Sequence, residues 1–342
     1  MRIRDVVVDP PLVLAPMEGV TDLTFRRLVR QIGGCGMTFT EFIPAAGLAQ
    51  NHASAKLTAQ FDPDEHPIAI QVYGRDPAML AEGARVAAEM GADVVDLNMG
   101  CPSKSVCANS GGSSLLREPD VARDIVRAIR AAVTIPFTVK MRTGWDPAHK
   151  NAPQIAWMCQ EEGAEAVTIH WRTRTDLYGG VRELDTIAEV KRRLSIPVVA
   201  NGDIVDAESA RDTFARTGCD AVMIGRGAIK NPWVFREIGQ ALFDGPAVVV
   251  DADEKQRVLL GYFDSVQVGR RTETGALGRF KKIAKYFTTG LPHGDLFQRA
   301  VLHAMSADDA RARVIAYFDR LRQFERGDLD AFEGLDLERV AG

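Results

Sequence analysis

The chain has little cysteine: five residues in 342, at positions 35, 101, 107, 159 and 219. An odd, widely spaced set in a chain of this length argues against a disulfide framework and for a reducing cytosol. No uncharged apolar run approaches the roughly 18 residues needed to span a bilayer. Residues 1–16, which include Asp5 and Asp9, carry no apolar core or small-residue cleavage site of a secretory signal. The expected location is the cytoplasm, without a membrane anchor. Charge of one sign is also lacking. The net charge of −4 excludes a uniformly basic nucleic-acid coat and leaves room for a local basic face. There are no low-complexity tracts, no short-period repeats and no Gly-x-Gly-x-x-Gly fingerprint. Cys101 and Cys107 have the wrong spacing for a zinc pair and no companion histidine, so no metal is expected.

What is present is an ordinary globular composition, 46% apolar and 26% charged. At roughly 100–200 residues per domain, the length suggests two domains or one large barrel with an appendage. Eight short apolar runs recur, at 12–15, 37–40, 68–72, 94–97, 137–140, 166–169, 197–200 and 221–224. Each is nearly continuous in apolar character, which is how a strand buried on both faces reads. Helical stretches separate them. One opens on Asp76-Pro77 and runs to about 90, others start near 119 and cover 152–162, and another spans 206–217 before Gly218. Eight βα units without an edge strand fit a (β/α)8 TIM barrel better than an open doubly wound sheet. The rhythm ends near residue 245. Helical patterns follow at 254–268, 277–288 and 308–324. The expectation is a barrel over 1–245 and a small all-helical domain over 246–342.

A barrel places its active site at the carboxyl ends of the strands. Read in order, those ends carry Pro16-Met17-Glu18, Glu41, Gln71, Asn98 with Gly100-Cys101-Pro102, Lys140 with Arg142, His170, Asn201-Gly202-Asp203 and Gly225-Arg226. A barrel used only as a scaffold has no need for such a set. The last two loops lie where many barrels bind a phosphate through glycine-rich backbone, and Arg226 could pair with it. Lys140 ends a buried run, and a buried ammonium needs a partner or a function. It suits charge on a reduced flavin, a Schiff base, or an ion pair with Glu41 or Asp96. His170 reads equally as a cofactor donor or a satisfied core histidine. Gln71 and Asn98 offer amides suited to a heterocycle edge. Cys101, turned by Gly100 and stiffened by Pro102, presents a thiol with no activating histidine nearby, able to act as an acid or a nucleophile. In the tail, residues 270–303 hold seven Lys/Arg, including Arg270 and Arg271, against two acidic residues. Arg279, Lys282 and Lys285 share helical spacing, as a solvated face or as a nucleic-acid contact.

These residues resemble the tRNA-dihydrouridine synthase family. The resemblance rests on Val95-Asp-Leu-Asn-Met-Gly-Cys-Pro-Ser-Lys-Ser-Val with Gly112-Ser113, Ala15-Pro-Met-Glu-Gly-Val-Thr-Asp, Val139-Lys-Met-Arg-Thr-Gly-Trp, Val199-Ala-Asn-Gly-Asp and Met223-Ile-Gly-Arg-Gly. It covers 12–240, with a looser likeness in the tail to the family's helical tRNA-recognition domain. It implies FMN in the barrel mouth and NADPH as reductant. Pro16, Met17 and Glu18 would line the flavin ring, and Gln71 would reach its polar edge. Lys140 would balance the reduced ring. His170, Asn201, Gly202, Asp203, Gly225 and Arg226 would hold the phosphate. Asn98 and Arg142 would face a uridine of the tRNA D-loop. Hydride would pass to C6 of that uridine and a proton from Cys101 to C5, while Arg279, Lys282 and Lys285 would contact tRNA. One departure stands out: Trp171 follows His170 where the family often has glycine, so the ring either alters the phosphate loop or points outward. A monomer is expected. The competing readings are another FMN-dependent barrel acting on a free pyrimidine or enone, a Schiff-base lyase using Lys140, and a non-catalytic RNA-binding protein.

Overall fold

The computed structural model describes residues 1–108, 111–247, 249–269 and 272–337; Arg270 and Arg271 of the basic run lie outside the described residues. The chain divides into two compact units, Met1–Ala228 with Trp233–Pro246, and Ile229–Pro232 with Ala247–Gly342.

In the first unit the eight apolar runs form strands β1 (Leu12–Leu14), β2 (Thr38–Phe39), β3 (Ile68–Tyr73), β4 (Val94–Met99), β5 (Phe137–Arg142), β6 (Ala166–His170), β7 (Val198–Asn201) and β8 (Ala221–Ile224). They pair in parallel in the order β1-β8-β7-β6-β5-β4-β3-β2. A parallel bridge between Val13 and Met37 joins the two ends, with Leu14 N–H donating to the Met37 carbonyl at 3.0 Å. The result is the (β/α)8 barrel. Its strands are continuous in apolar character because their outward residues, such as Ile70, Leu97, Val139 and Ile169, are fully buried.

The inward residues sort into layers. Val13, Met37, Ala69, Val94, Val199 and Ala221 form one apolar cluster with Val8, which follows an N-terminal hairpin of Arg2–Ile3 and Val6–Val7. Met1 and Val6 pack against that cluster. Nearer the carboxyl ends the same inward parity gives Gln71, Asp96, Asn98, Thr138, Lys140, Arg142, His170 and Asn201. Strand register aligns Asn98 with Lys140, Arg142 with His170, and His170 with Asn201. β4 and β5 run two residues beyond the expected runs, and this extension puts Asn98 and Arg142 on strands.

Local signals hold where the sequence carried them. The Asp76 side chain accepts from Met79 N–H at 2.9 Å, Asp206 and Ser209 form a reciprocal cap, and Gly218 closes its helix at φ 66°. Several helices were not expected from the sequence, including Leu23–Ile32, which Asp22 caps by accepting from Phe25 N–H, and Asp185–Arg193. In the first of these, Arg26 is fully buried. Its Nε lies 2.6 Å from Glu65 Oε1, and its other donors reach the Thr21 and Gln60 carbonyls.

The second unit contains helices Ala252–Gly269, Glu273–Ala284, Gly294–His303 and Ala307–Glu325, of which 294–303 was not expected. Phe263 stacks on Phe280 at 4.0 Å, and Phe297 lies 4.9 Å from Tyr317. No helix among the described residues is long and apolar enough to cross a membrane.

Candidate active site

A chain of hydrogen bonds crosses the barrel beneath its mouth. Asp96, fully buried, accepts from Thr138 Oγ1 at 2.5 Å and from Gln71 Nε2 at 2.7 Å. Gln71 Oε1 then accepts from Asn98 Nδ2 at 2.8 Å. Asn98 Oδ1 accepts from the backbone N–H groups of Gly100 and Cys101 at 3.0 and 2.9 Å. The two ends fix the amide orientations. A carboxylate can only accept and a backbone N–H can only donate, and both ends demand the same alternation. Burial pushes the Asp96 carboxyl up to about 6, against the pull of Thr138, Gln71 and Lys140.

Cys101 sits at the end of this chain, partly buried and unpaired. Burial pushes its thiol up, and neighbouring Cys107 and Glu18 add to the shift. It therefore stays protonated at neutral pH. Gly112 packs against its backbone at φ 57°, where a Cβ would stand 2.8 Å from the Cys101 carbonyl oxygen. Asn98, expected to face a substrate, is 6% exposed, and its amide shapes this turn. Arg142, expected in the same role, also braces the loops through Nε and Nη1. Its Nε donates to the Gly100 carbonyl at 3.0 Å and its Nη1 to those of Thr173 and Leu177 at 2.6 and 3.1 Å. Gln71 is committed at both ends of its amide, which leaves one Nε2 hydrogen for a ring edge.

Lys140 makes no hydrogen bond or ion pair with any described residue, Asp96 and Glu41 included. Burial lowers it to about 8, with Arg142 acting in the same direction. His170 Nδ1 accepts from Arg172 N–H at 3.1 Å, which places the ring proton on Nε2. Burial holds this imidazole well below its usual range, and the surrounding Lys140, Arg142, Arg172 and Arg226 reinforce that. It is a neutral donor.

The loops after β7 and β8 adjoin it. Gly202 has φ 115°, and a Cβ there would meet Trp171 Cδ1 at 2.5 Å and His170 Cε1 at 3.0 Å. Trp171 thus points inward. It is 4% exposed, under the Arg172 guanidinium at 4.0 Å, and the missing side chain of Gly202 makes room for it. Asp203 accepts from Arg172 at 3.1 and 2.7 Å and from Arg226 at 2.7 Å. Burial raises this carboxyl, but the two arginines outweigh it and its pKa falls. Asp203 thereby holds the Arg172 and Arg226 guanidiniums in place. Asn201 Nδ2 ties β7 to the Met223 carbonyl at 2.7 Å. Pro16 and Met17 are partly buried and Glu18 is exposed. Met17 Sδ lies 3.6 Å from where a Gly225 Cβ would sit, so the first and last loops meet. The helix after Gly225, Arg226–Lys230, spans only five residues.

In the second unit Lys282 is exposed and Lys285 lies over the Tyr286 ring at 4.9 Å. Arg279 is 7% exposed, on the same side of its helix as Phe280 and Ile283. It packs with the core of that unit. Sequence reading missed Asp96 and Thr138 as site residues, although Asp96 shares the inward parity of Asn98.

A family model described as Dihydrouridine synthase matches residues 13–321. The chain is 39% identical to tRNA-dihydrouridine synthase B of Pseudomonas aeruginosa over 94% of its own length and 97% of that protein. It is 36% identical to tRNA-dihydrouridine synthase B of Escherichia coli K12 over 93% and 99% respectively. To a probable tRNA-dihydrouridine synthase of Rhodobacter capsulatus the identity is 42%, over 69% of this chain and 73% of the other.

Proposed function

Because the chain belongs to the dihydrouridine synthase family, we propose that it reduces the C5–C6 bond of one uridine in the tRNA D-loop, as a cytoplasmic monomer using FMN and NADPH. The observation that carries the cofactor assignment is Lys140, a partly buried ammonium in the barrel mouth with no hydrogen-bond or ion-pair partner among the described residues. Such a charge is costly alone and suits a group that gains negative charge. The neighbouring donors fit the rest of FMN: the His170 Nε2–H, the Gly202 backbone and the Arg226 guanidinium that Asp203 aims. Bound there, FMN would supply the hydride for C6 of the base.

The chain's own residues do the rest. Lys140 holds the flavin and its charge. Cys101 delivers a proton to C5 as charge builds on the pyrimidine. Asp96, Gln71 and Asn98 keep the Cys101 turn in place. A stacked uridine cannot reach this depth, so the base is drawn out of its fold. We assign tRNA contact to the 246–342 domain through Lys282 and Lys285, without Arg279.

Incubating the purified protein with NADPH and unmodified tRNA tests this reading. Mass spectrometry of the digested RNA should show one uridine gaining two hydrogens. Reduction of free uracil with no reaction on tRNA would move the assignment to a free-base reductase. A covalent adduct trapped on Lys140 by borohydride would favour the lyase.

A further inference from the structure

Two arginines in the loops at the carboxyl ends of the strands form no ion pair among the described residues, although Glu118 lies close enough to Arg117 to be influenced by it. Arg117 ends the 3₁₀ turn Gly112–Arg117 that follows the Cys101 loop, and Arg174 lies four residues beyond β6. Both guanidiniums lie over one indole, that of Trp145, with Cζ at 4.0 and 4.7 Å from the ring centroid. Neither side chain makes a hydrogen bond or ion pair with any described residue, and Arg174 Nε is buried without a partner.

Nearby carboxylates are already occupied. Glu118 is held by Arg75 at 2.7 and 2.6 Å. Asp146 binds His149 and two backbone N–H groups, and Asp176 accepts from Thr173 N–H and Oγ1 at 2.8 and 2.7 Å. Most exposed arginines of this unit, by contrast, have acidic partners, as Arg85 and Arg127 do. Holding two like charges over one ring gains cation–π attraction, and it leaves their terminal Nη donors with no partner among the described residues, available to an anion.

The loops are tied together. Arg174 N–H donates to the Gly144 carbonyl at 2.9 Å and Thr175 N–H to that of Trp145 at 3.1 Å. The Arg142 guanidinium bonds both the Gly100 and Thr173 carbonyls. Cys101 and Arg174 are therefore each one residue from a carbonyl gripped by the same side chain. This sector, at the ends of β4 to β6, is distinct from the flavin phosphate loops after β7 and β8.

We propose that Arg117 and Arg174, held over Trp145, form a phosphate subsite for the RNA backbone beside the uridine that reacts. The identity of the RNA rests on the reading above; the subsite itself rests on this geometry. An RNA phosphate is favoured over a cofactor phosphate because Arg142 ties the loop that carries Arg174 to the loop that carries Cys101.

The test uses the full FMN-loaded chain and measures tRNA binding across a salt series for Arg117→Ala, Arg174→Ala and the double variant. Each single change should weaken binding several-fold at low salt and reduce the slope of log K against log salt by about 0.7–0.9. Arg174→Lys should restore the slope but only part of the affinity, since it keeps the charge and loses the flat stack. FMN content and the KM for NADPH should not move. A double variant with the wild-type slope would overturn the proposal. So would a change confined to the KM for NADPH, which would assign the pair to that cofactor's phosphates. Wild-type protein that neither binds nor reduces tRNA would remove the functional reading itself.

Discussion

Replacing Asn98 by alanine should cost far more than an ordinary polar-to-alanine change near a surface. The side chain makes three hydrogen bonds, one to Gln71 Oε1 and two from the N–H groups of Gly100 and Cys101. Gln71 is fully buried, so its orphaned carbonyl oxygen costs about 1–3 kcal/mol. The two amides belong to partly exposed residues that water reaches, so each costs only about 0.5–1 kcal/mol. The sum is about 3 kcal/mol, or a fall in Tm of about 6–12 °C for a unit of this size. Differential scanning calorimetry reads that fall, and the rate of thiol modification at Cys101 reads the loosened turn. Asn98→Asp offers a finer probe. It keeps the acceptor for both amides but turns a second acceptor toward Gln71 Oε1. The introduced carboxyl should then have a folded pKa above its unfolded value. Its contribution is intact below that unfolded value and is lost as pH rises through the folded one, so the variant should approach wild-type stability in acid and fall behind near neutrality. A Tm for Asn98→Ala within about 1 °C of wild type, with unchanged thiol reactivity, would refute the chain of bonds as a support for Cys101.

Lys140→Met should retain FMN poorly. In the wild type, affinity for FMN should fall as pH rises through about 8, where the ammonium neutralises, whereas the variant should be flat; a fluorescence titration of FMN checks both. Gly202→Ala would bring a methyl carbon to 2.5 Å from Trp171 at a backbone angle alanine avoids, so FMN occupancy after purification should drop sharply, as absorbance would report. Glu65→Ala strands the fully buried Arg26 guanidinium and should cost about 3–5 kcal/mol in urea denaturation.

The barrel was legible because its strands are short apolar runs and its loops begin with chemistry-bearing residues. Parity along Val94–Met99 even places Asp96 with Asn98. What stayed hidden depends on partners far away in sequence. Nothing near Arg142 says that its guanidinium will be spent on carbonyls of the loops after β4 and β6. Nothing near Arg279 says that it will be buried with Phe280. The inward turn of Trp171 depends on a glycine 31 positions later, Gly202. In the helix Leu23–Ile32, buried Arg26 imitates a surface residue until Glu65 is brought to it.

The central claim is that the Cys101 thiol gives a proton to the pyrimidine. Single-turnover reduction of tRNA by pre-reduced Cys101→Ala tests it most directly. The account predicts normal FMN content, wild-type tRNA affinity and dihydrouridine formation slowed by about 10²-fold or more. Turnover within about threefold of wild type, against that expected range for a lost general acid, would contradict it.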